Sequence, residues 1–335
     1  MNSILQSYRD YGGYLWYEIT HPSWQNYFYW LIVVSLVFLV LEVLIPWRRS
    51  QKVLRQHFWL DGFYMFFNFF LFSLIVYHAA SSIVVDWFND AIKAISGGWD
   101  MQASNPMQRW PLWAVLLTGF VIRDFVQWWT HRLLHRVPRL WEFHKVHHSV
   151  QEMGFAAHLR YHWMETVVYR TIEYIPLALL GIGLYDFFVI HLFTLSWGHY
   201  NHANISIDHR ITGGIVGLLL GVIFAFSLLD VTIFDGAPVM AQVGILIGFC
   251  LGGIILLGPI MKYVFNSPEM HIWHHAKDLP DERRYGVNFG LTLAIWDYLF
   301  NKAYVPRDGK SIALGFDEVE SFPQTFQGQI KHGIL

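Results

Sequence analysis

Between His131 and His148 the chain reads HRLLHRVPRLWEFHKVHH, five histidines in eighteen residues. Three other stretches add to them: RYHWME with His162, GHYNHANI with His199 and His202, and HIWHH with His271, His274 and His275. Imidazole is a borderline ligand suited to iron, zinc, copper and nickel. His131 and His135 are four apart with no helix breaker before Pro138, so they stack on one helix face. His144, His147 and His148 have spacings that let two or three rings converge from one helical turn, and HIWHH repeats that spacing. A structural zinc site needs four ligands and usually includes thiolates. The single cysteine, Cys250, cannot build a thiolate site alone or form an internal disulfide. The eight to ten clustered histidines are too many for one ion and suit two. The Glu-x-x-His pattern of soluble di-iron bundles is not found in these segments. The spacing therefore predicts an all-histidine, or nearly all-histidine, two-metal centre. His78 and His191 stand singly in apolar runs and read as packed, hydrogen-bonded rings. His21, His57, His209 and His332 read as interface or tail residues.

Something apolar has to position these rings. Of 335 residues, 54% are hydrophobic and 14% charged, whereas a soluble domain carries about 25% charged residues. Several apolar runs reach the roughly 17 to 25 residues that cross a hydrocarbon core. The first is about 27–45, closed by Pro46 and WRRSQKVLRQ, whose four basic residues predict a cytoplasmic loop. A second run, about 58–85, contains Asp61, Asn68 and His78, polar groups that should face other helices. The third, about 110–129, follows the turn-forming segment 97–111, returns to the cytoplasm and feeds directly into His131. The stretch 166–197 is broken by Gly181-Ile182-Gly183, and a hairpin there brings His199 and His202 back to the side they share with His148. Runs 211–229 and 239–261, separated by DVTIFDGAP, make a second return. The polar segment from Lys277 onward should cap the cytoplasmic side. The expectation is an all-α, multi-span transmembrane bundle with a cytoplasmic histidine-rich di-metal cap. It divides into N-terminal spans 1–109, a catalytic region 110–304 and a polar tail 305–335, with an inserted apolar hairpin at about 206–255. The first twenty residues read as having no cleavable signal. A net charge of −2 offers no basic field for nucleic acid.

Four segments, DFVQWWTHRLLHRVPRLWEFHKVHHS, NHANI, NSPEMHIWHH and YGVNFGLTLAIWDYLF, resemble the fatty acid hydroxylase/sterol desaturase superfamily of integral membrane di-iron oxygenases. The likeness covers about 109–304. It implies iron ligands at His131, His135, His144, His147, His148, His202, His271, His274 and His275. The family's R-x-H-P-x-E corresponds to Arg160, His162 and Glu165, which adds His162, although Trp163 replaces the usual proline. His199 stays as a further candidate. Asp124, seven before His131 and on its face, is a candidate to orient the metal-holding rings; an ion pair with Arg123 or another residue is the other reading. Asp297 is a second such carboxylate by family position. The family keeps NHANI close to HIWHH, whereas here roughly fifty residues intervene.

Such a centre, with two iron ions and dioxygen as co-substrate, hydroxylates or desaturates a C–H bond of a lipid such as a sterol or fatty acyl chain. No haem-binding HPGG, cysteine cluster or Gly-x-Gly-x-x-Gly loop occurs, so electrons must come from a separate b-type cytochrome, or a ferredoxin with its reductase. Basic residues Arg132, Arg136, Arg139, Lys145, Arg283 and Arg284 could dock an acidic carrier or contact lipid headgroups. Two readings from other classes remain open at this point. Metal transport would need ligands along the spans near the midplane, and a bis-histidine haem protein would need facing pairs such as His78 and His191. Zinc in the same centre would give a hydrolase or an inactive relic.

Overall fold

The computed structural model describes residues 2–23, 26–68, 90–91, 93–97, 106–179, 184–227 and 239–334. Among these the regular structure is helical, with three isolated bridges and no strand. Most of the second expected span including His78, the 181–183 turn and the 230–238 turn lie outside the described residues.

Helix α1 spans Asn2–Thr20 and α2 Tyr27–Leu44, the latter capped by Asn26, whose side chain accepts from the Phe28 amide. Helix α3 is Phe58–Phe66. The next two helices, α4 (Leu112–Arg136) and α5 (Pro138–His148), owe their separation to one residue. Pro138 pushes Val137 out of the helical region, to φ −90° and ψ 114°, and then serves as the first residue of α5. The histidines at the end of α4 therefore turn to face those of α5.

A 3₁₀ turn at Phe155–Leu159 leads to α6 (Trp163–Leu179) and α7 (Leu184–His202), which both pack on α4. The start of α6 and the end of α7 meet at the histidines. Helices α8 (His209–Ser227) and α9 (Val239–Gly252) form the expected apolar pair. A π turn at Gly253–Leu257 joins α9 to α10 (Gly258–Val264). The close approach requires Gly213: a Cβ there would stand 2.5 Å from the Gly258 nitrogen. Helix α11 (Pro268–His274) starts at Ser267, whose hydroxyl accepts from the Met270 amide. The short helices α12 (Ile295–Leu299) and α13 (Phe326–Lys331) complete the described chain.

The polar and apolar surfaces are inverted relative to a soluble protein. Nearly every clustered histidine is buried, while Val33, Leu36, Val37, Val40 and Leu44 of α2 are exposed, as are Ile211, Leu219, Ile247 and Leu251 of the α8–α9 pair and Ile255 of the π turn. Two helices, Tyr27–Leu44 and Val243–Val264, are long and apolar enough to cross a bilayer by length and composition. Only 17% and 11% of those windows is buried within the protein, so neither is the enclosed core helix of a soluble fold. The tail does more than cap. Leu314, Val319 and Phe322 are buried, and Phe326 packs edge-on against Phe63, Tyr64 and Phe67.

Candidate metal centre

Nine of the eleven candidate histidines come together, in two groups. His131, His135, His144, His148 and His274 form one; His147, His202, His271 and His275 form the other. Within each group, one ligand atom per residue lies within 4.8 Å of all the rest. The helical period decides the split. Each i,i+4 pair (131 with 135, 144 with 148, 271 with 275) falls in one group, while the intervening His147 and His274 turn into the other. Adjacent rings therefore part: His147 and His148 stand 86° apart, and His274 and His275 84° apart.

The hydrogen bonds behind the rings fix which nitrogen faces inward. Nδ1 of His131 donates to Phe289 O (2.8 Å), that of His274 to Val287 O (2.8 Å), that of His147 to Arg160 O (3.0 Å) and that of His202 to Gly198 O (2.8 Å). A carbonyl can only accept, so each Nδ1 carries the proton and each Nε2 a lone pair. Those lone pairs converge. Nε2 of His131 is 3.2 Å from that of His144, and His202 Nε2 is 3.2 Å from His147 Nε2 and 3.1 Å from His271 Nε2. Two nitrogens each about 2.1 Å from one ion stand roughly 3 Å apart at a right angle, so this spacing fits a shared cation. Nε2 of His135, His148, His274 and His275 is buried with no protein partner. An unpaired buried polar atom is costly, and metal coordination would satisfy each of them. Burial holds the rings neutral and ready to ligate: it lowers His147 to about 4, and His144, His148, His271, His274 and His275 well below the usual range.

Carboxylates stand behind this shell. Glu165 Oε2 lies 2.8 Å from His144 Nδ1, the carboxylate–histidine pairing that fixes ring orientation in metal sites. Asp124 and Asp297 bond to no histidine. Asp297 accepts from the amides of Phe289 (2.9 Å) and Gly290 (2.8 Å) and from the Trp128 indole (2.9 Å), with burial raising its carboxyl to about 6. Asp124 accepts from the Thr292 amide (3.1 Å) and the Trp296 indole (2.8 Å). Both thus pin the 289–293 loop that presents the Phe289 carbonyl to His131. Asn288, in the left-handed region at φ 52°, turns the Val287 and Phe289 carbonyls toward His274 and His131. Nothing in the residue pattern singled it out.

His162 and His199 stand apart because both nitrogens of each are engaged. His162 Nε2 donates to Ile330 O (2.8 Å) and its Nδ1 accepts from the Met164 amide (3.1 Å). His199 Nδ1 lies 3.1 Å from Leu195 O, and its Nε2 3.2 Å from the Ser35 hydroxyl. His158, which the sequence reading passed over, lies between: its ring centroid is 5.2 Å from that of His202 and its Nδ1 3.1 Å from His199 Nδ1. It stands four before His162, the spacing of His131 and His135, but the pair falls across a 3₁₀ turn and a non-helical link instead of one α-helix, and the two rings part. The His158 ring fits only because position 198 is glycine, where a Cβ would collide with it. Of the facing pair considered for haem, His191 stacks on Tyr27 with 5.0 Å between centroids.

Residues 116–217 match the fatty acid hydroxylase family model. An ornithine lipid hydroxylase, OlsE, of Rhizobium tropici is 27% identical over 207 residues, 62% of this chain and 47% of that protein. An alkylglycerol monooxygenase of Xenopus tropicalis is 23% identical over 311 residues, 90% of this chain and 53% of that protein. The chain thus spans about half the length of these curated relatives. No solved structure matches. The matched segment holds most of α4, all of α5 to α7 and six of the nine grouped histidines; His271, His274 and His275 follow beyond the α8–α9 pair.

A cavity of about 150 Å³ opens against the grouped histidines. It is lined by His131, His144, His147 and His202 at one end and by Arg123, Gln127, Glu173, His191 and Thr194 at the other.

Proposed function

We propose that the chain is a membrane-bound, oxygen-dependent oxidoreductase whose two histidine groups each hold one iron ion and which hydroxylates a C–H bond of a lipid. The observation that carries this reading is the convergence of nine rings, eight of them buried, four locked with Nε2 inward and three more offering an unpaired Nε2. Imidazole-only donors suit iron, and the hydroxylase relatives favour it over zinc. Held by these rings, an iron pair would supply the oxidising power, drawing on dioxygen and two electrons from outside.

The chain's own residues supply geometry. Glu165 and the carbonyls of Phe289, Val287, Arg160 and Gly198 hold the rings in one orientation and one tautomer. Leu159, Leu195 and Leu291 line the adjoining cavity and limit water. Hydroxylation is favoured over desaturation because both relatives named above carry out oxygen insertion by name.

A multi-pass bundle with a cytoplasmic centre is part of the same proposal. The basic loop after α2 is tied to the metal side, since the Trp47 amide donates to Asn204 O (2.9 Å) two residues beyond His202. The positive-inside tendency for that loop thus supports a cytosolic centre. A separate one-electron carrier, a b-type cytochrome or a ferredoxin, would meet the basic surface around Arg132, Arg136, Arg283 and Lys302, where partial burial and then the neighbouring guanidinium groups lower Lys302 from its ordinary value. Lipid extracts from cells expressing the chain or its His144→Ala variant test the reading. A lipid one oxygen atom heavier should form only with the unaltered chain and only in air. Identical extracts would overturn it.

A further inference from the structure

Beside the histidines the cavity is lined by a polar network that ties α4 to α6 and α7. Arg123 donates to the Thr194 hydroxyl (2.6 Å) and pairs with Glu173 (3.4 Å), and Gln127 Nε2 donates to Glu173 (2.6 Å). That network leaves two atoms over. Gln127 Oε1 and Thr166 Oγ1 are buried and have no protein partner, and both belong to residues that line the cavity and are more than nine-tenths buried. Each sits beside a group that positions the metal side. Gln127 is one helical turn, about 6 Å, before His131 on α4, and Thr166 follows Glu165, which holds His144.

Resting on the oxygenase reading above, we propose that Gln127 and Thr166 are specificity-determining residues that accept hydrogen bonds from a hydroxyl or N–H group of the lipid. This anchors the substrate so that a carbon close to its polar group, and not one deep in an alkyl chain, faces the histidines. The volume agrees. About 150 Å³ admits a group the size of benzene, which is too small for a fused sterol nucleus or a whole acyl chain. The polar group enters, and the remaining hydrocarbon stays outside the cavity.

The test uses the full-length, iron-loaded protein in detergent with three probes: 1-O-decylglycerol, N-decylacetamide and decane. Binding is read by isothermal titration, and turnover by the position of the inserted oxygen. The glycerol ether or the amide, or both, should bind measurably tighter than decane, the preferred one showing whether a hydroxyl or an N–H is read. Thr166→Val keeps shape and removes one acceptor; it should weaken the preferred probe about tenfold, leave decane unchanged and retain the iron. Gln127→Leu should do the same but also strips Glu173 of a donor, so Thr166→Val decides if that variant fails to fold. Equal binding of decane, or an unchanged preference in Thr166→Val with iron in place, would overturn the anchor while leaving the oxygenase reading intact. Loss of iron from the unaltered protein would instead count against the oxygenase reading.

Discussion

The two histidine groups share two helices and are supported differently. Helices α5 and α11 feed both; α4 belongs only to the five-ring group and α7 only to the four-ring group. The five-ring group has a carboxylate directly behind it, Glu165 on His144. The four-ring group is held at one remove. His147 leans on the Arg160 carbonyl, and Arg160 is held by Asp61, which pairs with Arg55 at 2.5 Å and with Arg160 at 3.3 Å, all three buried. The contrast teaches that a metal-binding ring can be oriented by a charge it touches or by a buried ion pair acting through the backbone.

The sharpest way to break the comparison is to remove one ring from each group. His147→Ala and His148→Ala alter neighbours that face different groups, and each should lower iron from about two per chain to about one or none and abolish turnover, as elemental analysis and lipid assay will show. Full iron in either variant would remove that ring from the centre. Next in size is Asp61→Ala, which strands two buried guanidinium groups; it should cost about 3–5 kcal/mol of stability, read as a lowered Tm, and loosen the four-ring group more than the five-ring one. Glu165→Gln should do the reverse, with roughly 10- to 100-fold lower activity and little change in Tm.

Acid should act on both groups alike. The buried His147 titrates at about 4, below the ordinary value near 6.5. Above about 6.5 its contribution to stability is fully present. As pH falls from there through about 4, the unfolded chain takes up a proton the fold resists, and stability drops by about 1.4 kcal/mol per pH unit for that ring. A metal-free Tm that is flat across this window would contradict the neutral-ring geometry. The smallest effect belongs to the two rings outside the groups: His162→Gln and His199→Gln should keep full iron, with stability losses of about 1 kcal/mol.

Much of this was legible before any coordinates. The i,i+4 spacing of His131 and His135, the break at Pro138 and the doubled H-x2-HH pattern depend on helical period alone, and they led to nine rings that do meet. The division of those rings was not legible, because it depends on where two faces of one short helix look. His162 and His199 were also undecided by spacing. Their nitrogens are taken by Ile330, Met164, Leu195 and Ser35, partners far away in sequence or hidden in the backbone. Asp124 does share a face with His131, yet its bonds run to the 290s loop, a contact across 168 positions that no local pattern encodes. The same holds for Asn288, whose backbone twist aims two carbonyls at once.

Metal content of the full-length protein, purified in detergent and measured per chain by elemental analysis, bears most directly on the central claim. Two groups of neutral imidazoles predict about two iron ions per chain. A single zinc ion, or a folded and active protein without iron, would contradict it.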